Sequence, residues 1–317
     1  MVAIAILDDY QNVALSFADW SRLQAAHQVT VFKHAFESED AARRELQGFN
    51  VVCCMRERTP FPRSLIDALP NLKLIVTAGM RNAAIDMEAA AARGIKVCGS
   101  ESGGHATAEL TMGLIVALAR NLHIEFANMR EGRWQTTIGR DLRGRTLGLV
   151  GLGRLGGHVA RMAQAFGMNV IAWSPNLTDE RAAEHNARRV AKEVLFREAD
   201  VISVHMVLSP RSRGIVAAED LALMKPTAFF VNTSRAPLVD NAALSTALAA
   251  GKIAGAALDV YEVEPLPAAE ALRREPRAVL TPHIGYVTEE TYQLFYPGMV
   301  EDIEAWLAGK PLRVIAG

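Results

Sequence analysis

Short apolar runs alternate along this chain with stretches whose apolar residues recur every three or four positions. Val2–Leu7, Gln28–Phe32, Val51–Cys54, Leu72–Val76 and Ile95–Cys98 have the length of strands, and amphipathic stretches separate them. Continuous apolar runs of this size suit strands buried on both faces, and their alternation with helices predicts a parallel sheet covered on both sides. A first α/β domain of about a hundred residues is expected.

Six further strand candidates follow: Thr146–Val150, Asn169–Trp173, Val201–His205, Ala228–Asn232, Ile253–Leu258 and Ala278–Thr281. Six is the number in a full doubly wound dinucleotide-binding sheet. Between the first two stands Gly151-Leu-Gly-Arg-Leu-Gly156, which opens a helical pattern carried by Val159, Met162, Ala163 and Phe166 and stopped by Gly167. GxGxxG alone is weak. Set between a strand and a helix, with a second strand behind, it reads as a turn whose glycines let a pyrophosphate approach the free amides of the helix N-terminus.

The segment from His105 to Arg120 is apolar on most sides, so it is expected to be buried, in a domain junction or a subunit interface. A looser segment through Trp134 leads to the glycine motif, and the first hinge is placed between Cys98 and Gly103. The last helical pattern, about 289–307, follows the last strand and is too long for a tail. It is predicted to cross back onto the first domain.

Composition narrows the partners. Half of the 317 residues are hydrophobic, 22% are charged, and the net charge is −1, as in an ordinary soluble globular protein. No basic field is offered to nucleic acid or to an anionic membrane, so small molecules are the expected ligands. The start of the chain lacks the basic region and cleavage site of a signal peptide, and Met112–Ala119 is too short to span a bilayer. Cys53, Cys54 and Cys98 lie in or beside apolar runs and are expected to be buried thiols. A cytoplasmic location follows as an expectation. No zinc motif, nucleophile elbow, Walker loop or solenoid repeat is present, and no metal is expected.

Three ionisable residues stand just past the last three large strand candidates: Arg235, Glu264 and His283. Ligands of open α/β sheets collect at the carboxyl ends of strands, so a cation, a carboxylate and a histidine would converge there. Such a set suits reduction of a 2-oxo acid. The arginine holds the substrate carboxylate and polarises the ketone; the histidine donates a proton as hydride reaches the carbon; the carboxylate favours imidazolium. Each residue also has a structural reading: a surface arginine, a capping acid before Pro265, a turn residue after Pro282.

At these residues the chain resembles a known family. Gly151-Leu-Gly-Arg-Leu-Gly156, Asn232-Thr-Ser-Arg235, Asp259-Val-Tyr-Glu-Val-Glu264-Pro265 and Thr281-Pro-His283-Ile-Gly285 are similar to the signature blocks of the D-isomer-specific 2-hydroxyacid dehydrogenases. Thr77-Ala-Gly-Met80 and Thr107-Ala-Glu109 extend the resemblance over nearly the whole chain. It implies a catalytic trio of Arg235, Glu264 and His283, with Asp259 beside the nicotinamide and the turn of Ala78, Gly79 and Met80 gripping the substrate carboxylate. The cofactor set becomes Gly151, Gly153, Arg154, Leu155, Gly156, Ser174, His205, Thr233 and Asp259, although His205 also has a packing role open to it. The implied architecture is α/β: two doubly wound parallel-sheet domains, a Rossmann dinucleotide-binding domain over 101–286 inserted into a flavodoxin-like substrate domain over 1–100 and 287–317. The resemblance further implies a homodimer through the dinucleotide-binding domains, with the helical arm from His105 onward as the interface element. Formate dehydrogenases of the superfamily carry glutamine where Glu264 stands, so Glu264 argues for a ketone reductase.

Departures from the pattern qualify the cofactor and substrate. An NAD enzyme usually carries an acid at the end of the second strand, where this chain has Ser174, in Trp173-Ser-Pro-Asn176. Without a carboxylate to repel a 2′-phosphate, NADP(H) is admitted and slightly preferred over NAD(H). Arg181 is the nearest following arginine. Ala236 and Tyr286 stand where glycines are usual, and Arg56, Arg58 and Arg81 could meet a second anionic group on the substrate. The expected activity is reduction of a small 2-oxo acid such as glyoxylate or hydroxypyruvate. The alternatives are a phosphoglycerate dehydrogenase, many of which carry a regulatory C-terminal domain for which no room is expected here although short versions also belong to the family, and a nucleotide-sensing binding protein of the same fold.

Overall fold

All but one of the strands form where an apolar run stands. In the computed structural model, which describes residues 1–315, the chain divides into two compact units, one of Met1–Gly103 with the chain from Val287 onward, the other of Gly104–Tyr286.

The first unit is built on a five-stranded parallel sheet of β1 (Ala3–Ile6), β2 (Gln28–Val31), β3 (Val51–Cys54), β4 (Leu74–Thr77) and β5 (Lys96–Gly99), in the order β2-β1-β3-β4-β5. This is the flavodoxin-like order. β3 and β4 are buried along their whole length, as continuous apolar runs require. Their carboxyl ends lead into Arg56 and into the Gly79 turn. The three cysteines are free buried thiols. The Glu289–Leu307 helix, capped by the Thr288 hydroxyl, packs on β4 and β5 and buries Tyr292, Phe295, Tyr296, Met299 and Ile303. Gly298 lets it lie close, since a Cβ there would sit 2.8 Å from the Ser100 Cβ.

The second unit holds a seven-stranded parallel sheet: β6 (Thr146–Val150), β7 (Asn169–Trp173), β8 (Arg188–Arg189), β9 (Val201–Val204), β10 (Phe229–Asn232), β11 (Gly255–Leu258) and β12 (Ala278–Leu280), in the order β12-β11-β10-β9-β6-β7-β8. Here the sequence expectation of six strands is corrected to seven. The missed strand is β8, two exposed arginines pairing with Ile171 and Ala172 at the sheet edge. An edge strand of that length has no buried face, so it leaves no apolar pattern. The order reverses between β6 and β9, so the carboxyl ends at Gly151 and His205 form the switch point of the sheet.

The Ala106–Ala119 helix resolves the burial expected of it within the second unit itself. It packs on β10, β11 and β12 and on the Arg154–Ala165 helix, burying Met112, Leu114, Ile115 and Leu118. Each such side chain contributes about 1.5–3 kcal/mol by leaving water. Among the described residues no single helix is long and apolar enough to cross a membrane.

Candidate active site

The glycine turn is set by close approach. β6 ends at Val150, and Gly151 follows with φ +103°, where a side chain would be strained. A Cβ on Gly151 would also lie 2.8 Å from the His205 carbonyl oxygen, and one on Gly156 would run into the carbonyl oxygen of Gly151. Gly153 is the N-cap of the Arg154–Ala165 helix. No side chain caps it, and a Cβ there would meet nothing within 4 Å. The amides of Arg154, Leu155 and Gly156 therefore head an uncapped helix beneath open space, which fits a dinucleotide pyrophosphate.

Around this turn, His205 Nε2 lies 2.8 Å from the Ser203 hydroxyl, and burial pushes its imidazole down to about 4, so the ring is neutral near pH 7. Ser174 follows β7, partly exposed, and its carbonyl accepts from the Leu177 amide. Arg181 lies on the next helix, Asp179–Ala183. Thr233 is buried, its hydroxyl 2.8 Å from that of Thr111, which donates to the Thr107 carbonyl.

The structure brings Glu264 and His283 together. Glu264 Oε2 accepts from His283 Nδ1 at 2.6 Å, while Oε1 accepts from the Tyr261 amide at 2.9 Å. With Nδ1 holding the proton that Glu264 accepts, Nε2 is left for chemistry. His283 has φ +53°, an uncommon backbone for a residue with a side chain. Asp259 secures that conformation. Its Oδ1 accepts from the Thr281 hydroxyl and the Ile284 amide, at 2.6 and 2.8 Å, and its Oδ2 from the Gly285 amide at 2.8 Å. The residues on both sides of His283 are thereby tied to one buried carboxylate. Burial pushes the Asp259 carboxyl up, against the pull of these donors and of His283. Tyr286 sets its ring edge-on to the His283 imidazole, centroids 5.6 Å apart.

Arg235 follows β10 in a turn closed by Asn232, whose Oδ1 accepts from the Ser234 amide and whose Nδ2 donates to the Arg235 carbonyl. The Arg235 guanidinium donates to the Ser234 carbonyl at 2.7 Å. Ala236, next in sequence, is buried.

In the first unit, Ala78 is buried and its amide donates to the Cys54 carbonyl, Gly79 has φ +85° and its amide donates to the Ser100 hydroxyl at 3.1 Å, and Met80 is exposed. Of the three arginines left open by the sequence, Arg56 reaches this turn: its Nη1 donates to the Ala78 carbonyl at 3.3 Å and occupies the space a Gly79 side chain would need. Arg58 instead donates to the Asp8 carbonyl and lies over the Tyr10 ring. Arg81 is exposed. Ser100 and Thr111 leave no local pattern in the sequence, because each is a single hydroxyl residue bonded to a partner 21 or 122 positions away, and Thr281 is marked there by its block but not by its bond to Asp259. Among the described residues no group of three or more His, Cys, Asp or Glu is placed to hold a metal ion.

Residues 112–285 match the family model described as D-isomer specific 2-hydroxyacid dehydrogenase, NAD binding domain. The chain belongs to the D-isomer-specific 2-hydroxyacid dehydrogenases. Within this family it is 37% identical over 259 residues to the hydroxypyruvate reductase of Thermotoga maritima, covering 80% of this chain and 83% of the relative. It is 38% identical over 262 residues to the D-3-phosphoglycerate dehydrogenase of Synechocystis sp., covering 82% of this chain and 47% of the relative. The chain thus spans about half the length of the curated D-3-phosphoglycerate dehydrogenases it matches. The crystal structure of a phosphoglycerate oxidoreductase from Vibrio cholerae superposes with a TM-score of 0.92 at 37% identity, covering 98% of this chain and all of that one. The second unit is accordingly the NAD-binding domain of the family, and the two parallel sheets are the family's fold.

Proposed function

We propose that this protein is a 2-oxo acid reductase in which Arg235 binds the substrate and His283, oriented by Glu264, is the acid. The observation that carries the reading is the 2.6 Å bond between Glu264 and His283 Nδ1, made at the carboxyl ends of β11 and β12 in the NAD-binding domain. A dinucleotide held at the Gly151–Gly156 turn would supply the hydride for the carbonyl carbon. His283 Nε2 gives its proton to the carbonyl oxygen, and Glu264 holds the ring and offsets its positive charge before transfer. The Arg235 guanidinium holds the substrate carboxylate by paired charge-assisted hydrogen bonds. Asp259 keeps the turn that bears His283 in place, and the turn at Ala78, Gly79 and Met80 binds substrate with the Arg56 guanidinium beside it. The product is the D-2-hydroxy acid.

Steady-state reduction of glyoxylate, hydroxypyruvate, phenylpyruvate and 2-oxoglutarate with NADH and NADPH tests this. Turnover of at least one of these acids is expected, and tight dinucleotide binding without turnover of any would count against it. A D-3-phosphoglycerate dehydrogenase reading is favoured by the relatives' names and by Arg56 at the substrate turn; oxidation of D-3-phosphoglycerate faster than reduction of any unphosphorylated acid would establish it.

Ser174 gives the second unit no carboxylate against a 2′-phosphate, which supports a modest preference for NADP(H). Ser174→Asp is expected to move the ratio of kcat/KM values at least tenfold toward NAD(H), about 1.4 kcal/mol of discrimination. An unchanged ratio would refute the preference.

Four large apolar side chains stand exposed along the Leu122–Arg130 helix and the loop after it: Phe126, Met129, Trp134 and Ile138. The loop is held to the helix by Glu125, which accepts from the amides and hydroxyls of Thr136 and Thr137. Such a patch supports a homodimer through the NAD-binding domains. Sedimentation is expected to find a dimer for the wild type and a monomer for Trp134→Glu; a dimer that survives the charge would place the interface elsewhere.

A further inference from the structure

The Arg154–Ala165 helix carries a basic face on which His158 and Arg161 take no part in the proposed reaction. Arg154, His158 and Arg161 are spaced by four and three residues, so they share one face. The His105 ring lies against His158, centroids 4.3 Å apart and planes tilted by 52°. The His185 ring lies against the helix backbone at Gly157, where a Cβ would sit 2.5 Å from it. The Arg154 guanidinium fits against Gly104 in the same way, also at 2.5 Å. Two glycines thus make room for two of the five basic groups.

The group lacks a counter-charge. Some arginines elsewhere pair with carboxylates, as Arg188 does with Glu198, Arg133 with Glu131 and Arg313 with Glu301. Among the described residues none of His105, Arg154, His158, Arg161 and His185 pairs with a carboxylate. Arg161 Nη2 donates to His158 Nδ1, which leaves the other ring nitrogen of His158 to bear its proton and donate. The arginines beside His158 oppose a charge on its imidazole, and an anion among them would remove that opposition.

We propose that His105, His158, Arg161 and His185, with Arg154 above them, form a phosphate-binding site on this helix face. A phosphate dianion offers several acceptor oxygens to these donors, and guanidinium and imidazole both suit it. Two sources share that chemistry: inorganic phosphate, or a phosphomonoester on a bound nucleotide. Binding is coupled to protons. Burial first, then His105, Arg161, Arg154 and His185, holds the His158 imidazole below its usual range. A bound dianion reverses the second effect, so binding takes up protons and weakens as pH rises above the histidine range.

Isothermal titration of the full chain tests the site, with inorganic phosphate, 2′,5′-ADP and 5′-ADP as probes and two buffers of different ionisation enthalpy to count protons. Expected is phosphate binding with proton uptake, weakened at least tenfold in His158→Ala and in Arg161→Gln; the latter changes an exposed residue and guards against misfolding in the former. If inorganic phosphate does not bind, 2′,5′-ADP binding more tightly than 5′-ADP, with the difference lost in both variants, would support the site and identify a nucleotide phosphomonoester as its ligand. Binding of neither probe beyond 5′-ADP, or binding that survives both variants, overturns the proposal. The readout is heat rather than turnover, so failure of this site and failure of the reductase reading remain distinguishable.

Discussion

Replacing His283 by alanine is expected to lower kcat for 2-oxo acid reduction by about 10²- to 10⁴-fold, the usual contribution of a positioned general acid. Dinucleotide affinity, read from quenching of protein fluorescence by NADH, should change little, because the glycine turn at the end of β6 is built without His283. Glu264→Gln separates two roles of the carboxylate. Its amide oxygen can still accept from His283 Nδ1, so the ring stays oriented while the negative charge is lost. A loss in kcat smaller than that of His283→Ala, with a displaced pH–rate profile, is the expected result. Turnover that survives in His283→Ala would mean that another group is the acid.

The second large effect lies at the glycine turn, where two substitutions are expected to differ. Gly156→Ala drives a Cβ into the Gly151 carbonyl, a backbone atom with no freedom to rotate away. Overpacking of this kind costs about 1–3 kcal/mol. The helix must shift from the turn, so both the thermal midpoint and NADH affinity should fall, the affinity by tenfold or more. Gly153→Ala meets nothing within 4 Å in the protein. It should leave the midpoint unchanged and still weaken NADH, since the space it fills is the proposed pyrophosphate's. Unaltered NADH affinity in Gly153→Ala would place the dinucleotide off this helix N-terminus.

The sequence was most legible where burial repeats. β3, β4 and β10 are buried along their length, and each begins in a continuous apolar run. β8 was illegible because Arg188 and Arg189 bury nothing. The strand-end rule led to Arg235, Glu264 and His283 because it depends only on where strands stop. It could not show that Glu264 holds His283 through one carboxylate oxygen and the Tyr261 amide through the other, nor that Asp259 fastens the turn on both sides of His283. The contacts to His283, Ile284 and Gly285 join residues 19 to 26 positions apart, and they exist only once the turn after β12 has formed. The arginines after β3 and β4 were equivalent in sequence. Only side-chain direction distinguishes Arg56, at the Gly79 turn, from Arg58, on Tyr10.

The first unit is made from both ends of the chain, and this fixes an order of events during synthesis. The residues of the second unit are contiguous, so its sheet can close as soon as the chain through Tyr286 has left the ribosome. At that moment the faces of β4 and β5 that will carry Tyr292, Phe295 and Met299 are still bare, because the helix that covers them has not been made. The nascent chain therefore holds a finished NAD-binding domain beside an uncovered apolar sheet, and its exposure to chaperones and proteases ends only when the Glu289–Leu307 helix docks.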